Sequence, residues 1–392
     1  MAGPYPLRGD ATAWSTDTAL ASNPNAAPAH YIVHLEMTRK AELLLLTLAL
    51  LSMAILSALL MGAQEDPTLD ASERRFPEVS AGFRTVRRGP DGMYYVLASP
   101  TPSNPSDRPK RATRWKRSDA PKPSPPVVLV YGSQGEKLRQ IPAQNGRSEL
   151  VSPSSLDIDA SGRVYIADQG SNAVSIYAAD GTLFVRLSIP APTQIIALPG
   201  DQFATCSANA DRLIAVYDLH GALRREFGEL AELSDDVQLN HRLNTGHLAA
   251  DKAGNLYFAF RYMPEPTVRK YDPTSGYLVD ELTLTTLDFQ PMAQSARQEI
   301  SRLTSGKAVL PHEIISAIGV DPETQELWLA LGNLLMHFDN ADTKIGSSRI
   351  YAIGGARLVP NFILAEKNDL LVGNDPLGIY EFARASSKVR GP

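Results

Sequence analysis

The stretch SPSSLDIDASGRVYIADQGSNAVSIYAADGTLFVRL, residues 152–187, decides the fold. Within it, SLDID and RVYIAD carry alternating or β-branched apolar positions on either side of the turn ASG, and NAVSIY and TLFVRL do the same around AADG. Four short strands joined by tight turns in roughly 40 residues are the size of one antiparallel propeller blade. Such a small sheet must bury both faces against neighbours, so one copy demands others.

The others are present at residues 90–141, 193–227, 246–282, 316–346 and 361–382. In four of the copies an aromatic precedes a turn glycine: Tyr131 and Gly135, Tyr177 and Gly181, Tyr217 and Gly221, Tyr271 and Gly276. Six copies predict an all-β chain, a six-bladed β-propeller of four-stranded antiparallel blades over residues 79–384. The 27 glycines and 29 prolines suit a chain with that many turns.

VYIADQGSNAVSIYAADG, within the second copy, resembles the NHL repeat: a strand ending in Ala-Asp, a small polar turn with Asn172, a strand ending in an aromatic, then a glycine turn. The third copy keeps Ser207 and Asn209 near the Ala-Asp position, and the fifth and sixth lose the motif. Taken whole, the chain resembles NHL-type or TolB-like six-bladed propellers. That resemblance implies a fold shared by scaffolds, binding modules, lactonases and lyases, not a function. It also implies a small apolar residue where Asp157 stands. Lactonase-type propellers hold calcium with a Glu near the first inner strand plus Asn and Asp from other blades. Glu78 precedes the first copy here, without a matching Asn and Asp set on the other inner strands.

The ends of the chain carry two further expectations. After Phe382 only ten residues remain, too short and too polar for an outer strand, so the sixth copy lacks one, and residues 385–392 read as a tail. The segment RRFPEVSAGF around Phe76 and Val79 is expected to supply that strand, making residues 64–78 a linker and ring-closing strand. At the other end, residues 1–36 read as a disordered or non-native extension before Met37. Arg39 and Lys40 then open an apolar run that continues to about Ala63, so residues 37–63 read as a signal peptide or a transmembrane anchor, spanning through residues 43–61 if uncleaved. A periplasmic or extracellular protein is expected, possessing an N-terminal hydrophobic signal or anchor helix.

Composition narrows the function. A net charge of -5 argues against a nucleic-acid partner, which needs a basic face. The lone Cys206 excludes an intrachain disulfide and a cysteine-built zinc site. No G-x-S-x-G, P-loop, dinucleotide fingerprint or CxxC motif occurs, so nothing establishes an enzyme.

Strand parity places the short first-to-second and third-to-fourth turns of every blade on one face, the turn face. Three long insertions, residues 101–126, 228–245 and 283–312, fall on the other, which is therefore the expected working surface for a protein or small-molecule ligand. The first insertion is basic and proline-rich, with seven basic and two acidic residues. Its Arg111, Arg114, Trp115, Lys116 and Arg117 form a candidate partner-binding loop. In the third, Met292, Ala296, Ile300 and Leu303 recur at helical spacing before Gly306, which predicts a short amphipathic helix. Arg87, Asp157, His247 and His312 are the candidate ligand residues of the central channel. Together they predict a non-catalytic binding scaffold with no cofactor at the cell envelope. The alternative is a metal-dependent hydrolase, lactonase or lyase using Ca or Zn in the channel.

Overall fold

The computed structural model describes residues 44–49, 52–53, 66–79, 82–98, 125–142, 149–304 and 311–384. The chain divides into residues 1–65 and residues 66–392. In the first unit the described residues 44–49 and 52–53 are helical. Among the described residues no helix is long and apolar enough to cross a membrane. The extension 1–36, most of the signal or anchor segment 37–63, the loop with Arg111, Arg114, Trp115, Lys116 and Arg117, Gly306 and the tail 385–392 lie outside the described residues.

The second unit begins with β1 (Thr68–Asp70) and β2 (Glu73–Arg75). Blade one is β3 (Phe83–Arg88), β4 (Tyr94–Ala98), β5 (Val127–Tyr131) and β6 (Lys137–Ile141). Blade two is β7 (Pro153–Ile158), β8 (Val164–Asp168), β9 (Ala173–Tyr177) and β10 (Leu183–Ser188). Blade three is β11 (Pro192–Leu198), β12 (Gln202–Ser207), β13 (Arg212–Asp218) and β14 (Leu223–Glu229), followed by α1 (Val237–Leu243). Blade four is β15 (Gly246–Ala250), β16 (Leu256–Phe260), β17 (Thr267–Tyr271) and β18 (Leu278–Thr283), followed by α2 (Gln290–Thr304). Blade five is β19 (Ala317–Val320), β20 (Leu327–Leu331), β21 (Leu334–Phe338) and β22 (Lys344–Tyr351). Blade six takes β23 (Phe362–Ala365), β24 (Asp369–Asn374) and β25 (Gly378–Ala383), and β2 as its fourth strand. The first strands of successive blades touch in an unbroken ring, β3–β7–β11–β15–β19–β23 and back to β3, which defines the central channel of a six-bladed propeller.

The core is a set of seams between neighbouring blades, because each sheet is apolar on both faces. Between blades one and two, Tyr95, Leu97, Val128 and Val130 meet Leu156, Val164 and Ile166, all fully buried. Between blades two and three, Tyr165 meets Phe203 with ring centroids 5.9 Å apart. Burying each such side chain contributes roughly 1.5–3 kcal/mol, so the stack holds itself together only when every seam has both walls. Gly319 marks a close approach of two inner strands. A Cβ there would lie 2.6 Å from Ile363 Cγ2 on the adjacent inner strand. Cys206 sits in the seam between blades three and four, where burial raises its thiol pKa and leaves it protonated.

The turn face is built from a repeated local device. Asp159 Oδ1 accepts from the backbone N–H groups of Ser161 and Arg163 at 2.8 and 3.0 Å, and Asp218, Asp251 and Asp339 accept in the same way within their own turns. Glycine at positive φ follows in most of these turns, such as Gly162 at φ 81°. Blade five departs from this, with Gln325 and Asp342 at φ 61° and 58° in its two turns.

Ring closure is a joint affair of the chain's two ends. β2 adds antiparallel to β25, pairing Glu73 with Glu381 and Arg75 with Ile379. The pairing residues thus lie just before Phe76, which is itself at positive φ and fully buried beside Tyr131 and Tyr94, at centroid distances of 4.5 and 5.6 Å. Arg75 donates to Glu381 Oε2 and to the Ser133 carbonyl of blade one, both at 3.0 Å. β1 adds a parallel fifth strand to blade five, an addition that the repeat pattern gives no reason to expect.

Candidate functional site

Period-two alternation decides which inner-strand side chains line the channel. At the turn face a cavity of about 790 Å³ opens into it, and each blade contributes a wall residue: Arg87, Asp157, Ile196, Ala249, Ile318 and Ile363. At these six positions blades one and two supply charges and blades three to six aliphatic surface, while Arg88, Asp321, Glu323, Glu366 and Lys367 add further charges to the lining. Arg87 Nε lies 3.6 Å from Asp157 Oδ1, longer than a hydrogen bond. Asp157 Oδ2 accepts from the backbone N–H of Ala197 at 2.8 Å, and Arg87 Nη1 donates to Thr85 Oγ1 at 3.3 Å and to the Val86 carbonyl at 3.2 Å.

Burial acts on both members. It pushes the Asp157 carboxyl above the usual carboxylate range, opposed by the Arg87 charge and by backbone N–H groups of Ala197 and Ile158. Burial likewise lowers the Arg87 pKa, with Asp157 opposing. The pair is under-solvated and loosely joined, which is how charged groups stand when part of their bonding capacity is held for something else. On the rim, Glu366 accepts from Arg88 Nη1 at 3.2 Å and from the Tyr94 hydroxyl at 2.8 Å. Desolvation and that bond to Glu366 raise the Tyr94 pKa to about 12.

The insertion-side end of the channel is different. A cavity of only about 110 Å³ is lined by polar groups that include Thr85, Ser154, Gln194, His247 and Asn361. His247 is buried, and Arg261 Nε lies 3.4 Å from its Nε2. Burial and the neighbouring Arg261 charge hold the imidazole pKa well below its ordinary value, against a backbone hydrogen bond with Ile315. The helices of the long connections pack on one another, Leu239 and Leu243 of α1 with Ile300 of α2 and Tyr262. Ala293, Ala296 and Ile300 form the buried stripe of α2, as the helical spacing predicts.

The four candidate channel residues therefore occupy three places. Arg87 and Asp157 come together at the turn-face mouth. His247 lines the opposite end. His312 is a correction: its side chain is 92% exposed and pairs with Glu299 of α2 at 3.0 Å, away from the channel. The pair with Glu299 holds the exposed imidazole against α2. Among the described residues no group of three or more His, Cys, Asp and Glu side chains is placed to hold a metal ion. The rim residues Arg88 and Glu366 went unrecognised because exposed charges beside turns are common in any sequence. The signal for the pairing of Arg87 with Asp157 was their shared position, each just ahead of its blade's first turn.

The motif residues of blade two are architectural. Asp168, fully buried, accepts from the N–H groups of Val151 and Ser152 at 2.9 and 2.8 Å and from the Ser171 hydroxyl at 2.7 Å. Asn172 Oδ1 accepts from the Ala191 N–H at 2.9 Å. Each ties a strand end to the connections entering and leaving the blade.

No protein-family model matches the chain, and no curated protein matches it by sequence. Among solved structures it is similar to a streptogramin B lyase, with a TM-score of 0.47 and 12% identity over 80% of this chain and 86% of that one. It is also similar to a catalytically inactive virginiamycin B lyase from Staphylococcus aureus solved with quinupristin, at 0.46 and 12% over 79% and 87%. A nidogen/laminin complex gives 0.41 and 15% over 64% and 82%. At that similarity none of them assigns an activity to this chain.

Proposed function

We propose that the chain is an exported or membrane-anchored propeller acting as a non-catalytic binding module at the cell envelope, with a ligand entering the turn-face mouth of its channel. The observation that carries this reading is the Arg87–Asp157 pair, two partly buried opposite charges 3.6 Å apart on the wall of a cavity of about 790 Å³. That volume is within the range of small-molecule and peptide sites, roughly 300–1,000 Å³, and a combination of aliphatic wall with convergent polar groups is typical of them. Export is supported by Arg39 and Lys40 ahead of the apolar run.

The test is thermal-shift screening of the full-length protein against a library of small molecules and short peptides, repeated on the double substitution R87M/D157N. Removing both charges leaves no unpaired ion behind, so the double variant is expected to fold. Ligands that stabilise the wild type should lose their effect on it. Hits that stabilise both proteins equally would overturn the assignment of the mouth.

A second reading has its own support. On the insertion face, Glu232, Asp235, Met263, Glu265 and Ile300 line a groove of about 820 Å³, suited to docking a protein segment with basic and apolar side chains. The metal-dependent hydrolase remains the enzymatic alternative. Elemental analysis of the purified protein tests it, with stoichiometric Ca or Zn as the result in its favour.

A further inference from the structure

We infer that the turn-face mouth recognises an uncharged aliphatic amide, the peptide group being one form, through Arg87 and Asp157 acting as a donor–acceptor pair. This rests on the binding role proposed above and specifies its chemistry.

The two side chains keep capacity facing the cavity. The Asp157 carboxylate takes backbone N–H groups of Ala197, at Oδ2, and Ile158, whereas Oδ1 meets Arg87 Nε at 3.6 Å, beyond hydrogen-bond length. Arg87 has five N–H donors, and its hydrogen bonds to protein, both from Nη1, are long at 3.2 and 3.3 Å. A ligand completing this arrangement must therefore accept from the guanidinium and donate to the carboxylate, with the accepting and donating atoms close together.

Charge then separates the classes that meet this geometry. The two residues already cancel. A carboxylate would gain Arg87 but bring a like charge beside Asp157, and an ammonium would gain Asp157 but crowd Arg87. An amino-acid zwitterion satisfies both but must desolvate two ions at once. A carboxamide places a carbonyl oxygen and an N–H on neighbouring atoms with no net charge, so it satisfies both residues at the least desolvation cost. The other polar groups of the lining, Arg88, Asp321, Glu323 and Glu366 among them, come from strand ends and turns. Ile196, Ala249, Ile318 and Ile363 present aliphatic surface, which favours a branched aliphatic chain on the amide.

The experiment is isothermal titration of the full-length protein with five probes at concentrations up to about 10 mM. Two are amides, N-acetyl-leucyl-valinamide and 4-methylpentanamide, which distinguish a peptide from a small amide as the source. Three are charged counterparts: 4-methylpentanoate, 4-methylpentylamine and free leucine. Both amides are expected to bind at least about tenfold more tightly than any charged probe. D157N, which keeps an acceptor for the Ala197 N–H but leaves Arg87 uncancelled, should reverse the order so that 4-methylpentanoate becomes the best ligand. A structural role for Asp157 would not produce that reversal. Preference of the wild type for the acid, the amine or leucine would overturn the amide while leaving the mouth as a binding site. Failure of every probe to bind would overturn the inference, and the library screen would then decide the broader role separately.

Discussion

The two ends of the channel are made by the same six inner strands, yet one holds a large cavity and the other a small one. At the turn face, inner strands and compact turns surround about 790 Å³ with a charged pair on the wall. At the insertion face, the long connections carry helices that bury Leu239, Leu243 and Ile300 against one another, and the channel end holds about 110 Å³ lined by polar groups, His247 among them. Long connections carry their own apolar residues, which need cover, and here α1 and α2 find it in one another and in Tyr262.

The largest effect expected from perturbing this contrast comes from the single substitution R87A. It strands the Asp157 carboxylate and should cost about 3 kcal/mol in urea unfolding, whereas R87M/D157N should stay near wild-type stability. Equal losses in the two variants would mean that the pair is a structural unit and not a site. G319A comes next. Its Cβ meets Ile363 Cγ2 at 2.6 Å, so the turn-side wall must shift, at about 1–3 kcal/mol, and any ligand of that mouth should bind more weakly.

The two faces should also respond to pH with opposite sign. His247 has a depressed pKa, so the unfolded chain binds its proton more readily. Its contribution is complete above about pH 6.5 and is lost as pH falls below that value. H247Q should therefore flatten the fall in stability between about pH 6.5 and 5, an effect on the order of 1 kcal/mol. Asp342, in a turn of blade five, is raised to about 6 by burial and then by Asp280. Its contribution is present below about pH 4 and is lost as pH rises through 6. D342N should gain about 1 kcal/mol at pH 7.5, and nothing below about pH 4. Thermal unfolding across that range checks both, and parallel profiles for the two variants would refute the assignment. The smallest effect belongs to H312A, which removes an exposed pair and should change stability by no more than about 0.5 kcal/mol.

The blades were legible because they depend on local chemistry. Alternating apolar residues, Asp-led turns and turn glycines recur in RVYIAD, NLYFAF and their counterparts, and each acts within a few residues of itself. The α2 stripe was legible for the same reason. For Arg87 and Asp157 the shared position ahead of the first turn was legible, but the distance between them was not, since it depends on the relative depth of two strands in neighbouring blades. His312 was misread because a D-to-A connection fixes a face but not a distance from the axis. β1 escaped notice because three residues, TLD, carry too little pattern to announce a strand.

Arg75 and Glu381, hydrogen-bonded across ring closure, are separated by 306 residues in sequence. β2 must therefore wait for β25, so blade six gains its fourth strand and completes its seam with blade one only after β25 has been made. Contacts this distant form slowly. The turn-face mouth inherits the same timing, because Arg87 comes from the first blade and Ile363 from the sixth. Competence to bind at that mouth is then a property that the nascent protein acquires in a single final step, so ligand capture would serve as a clock for the completion of folding.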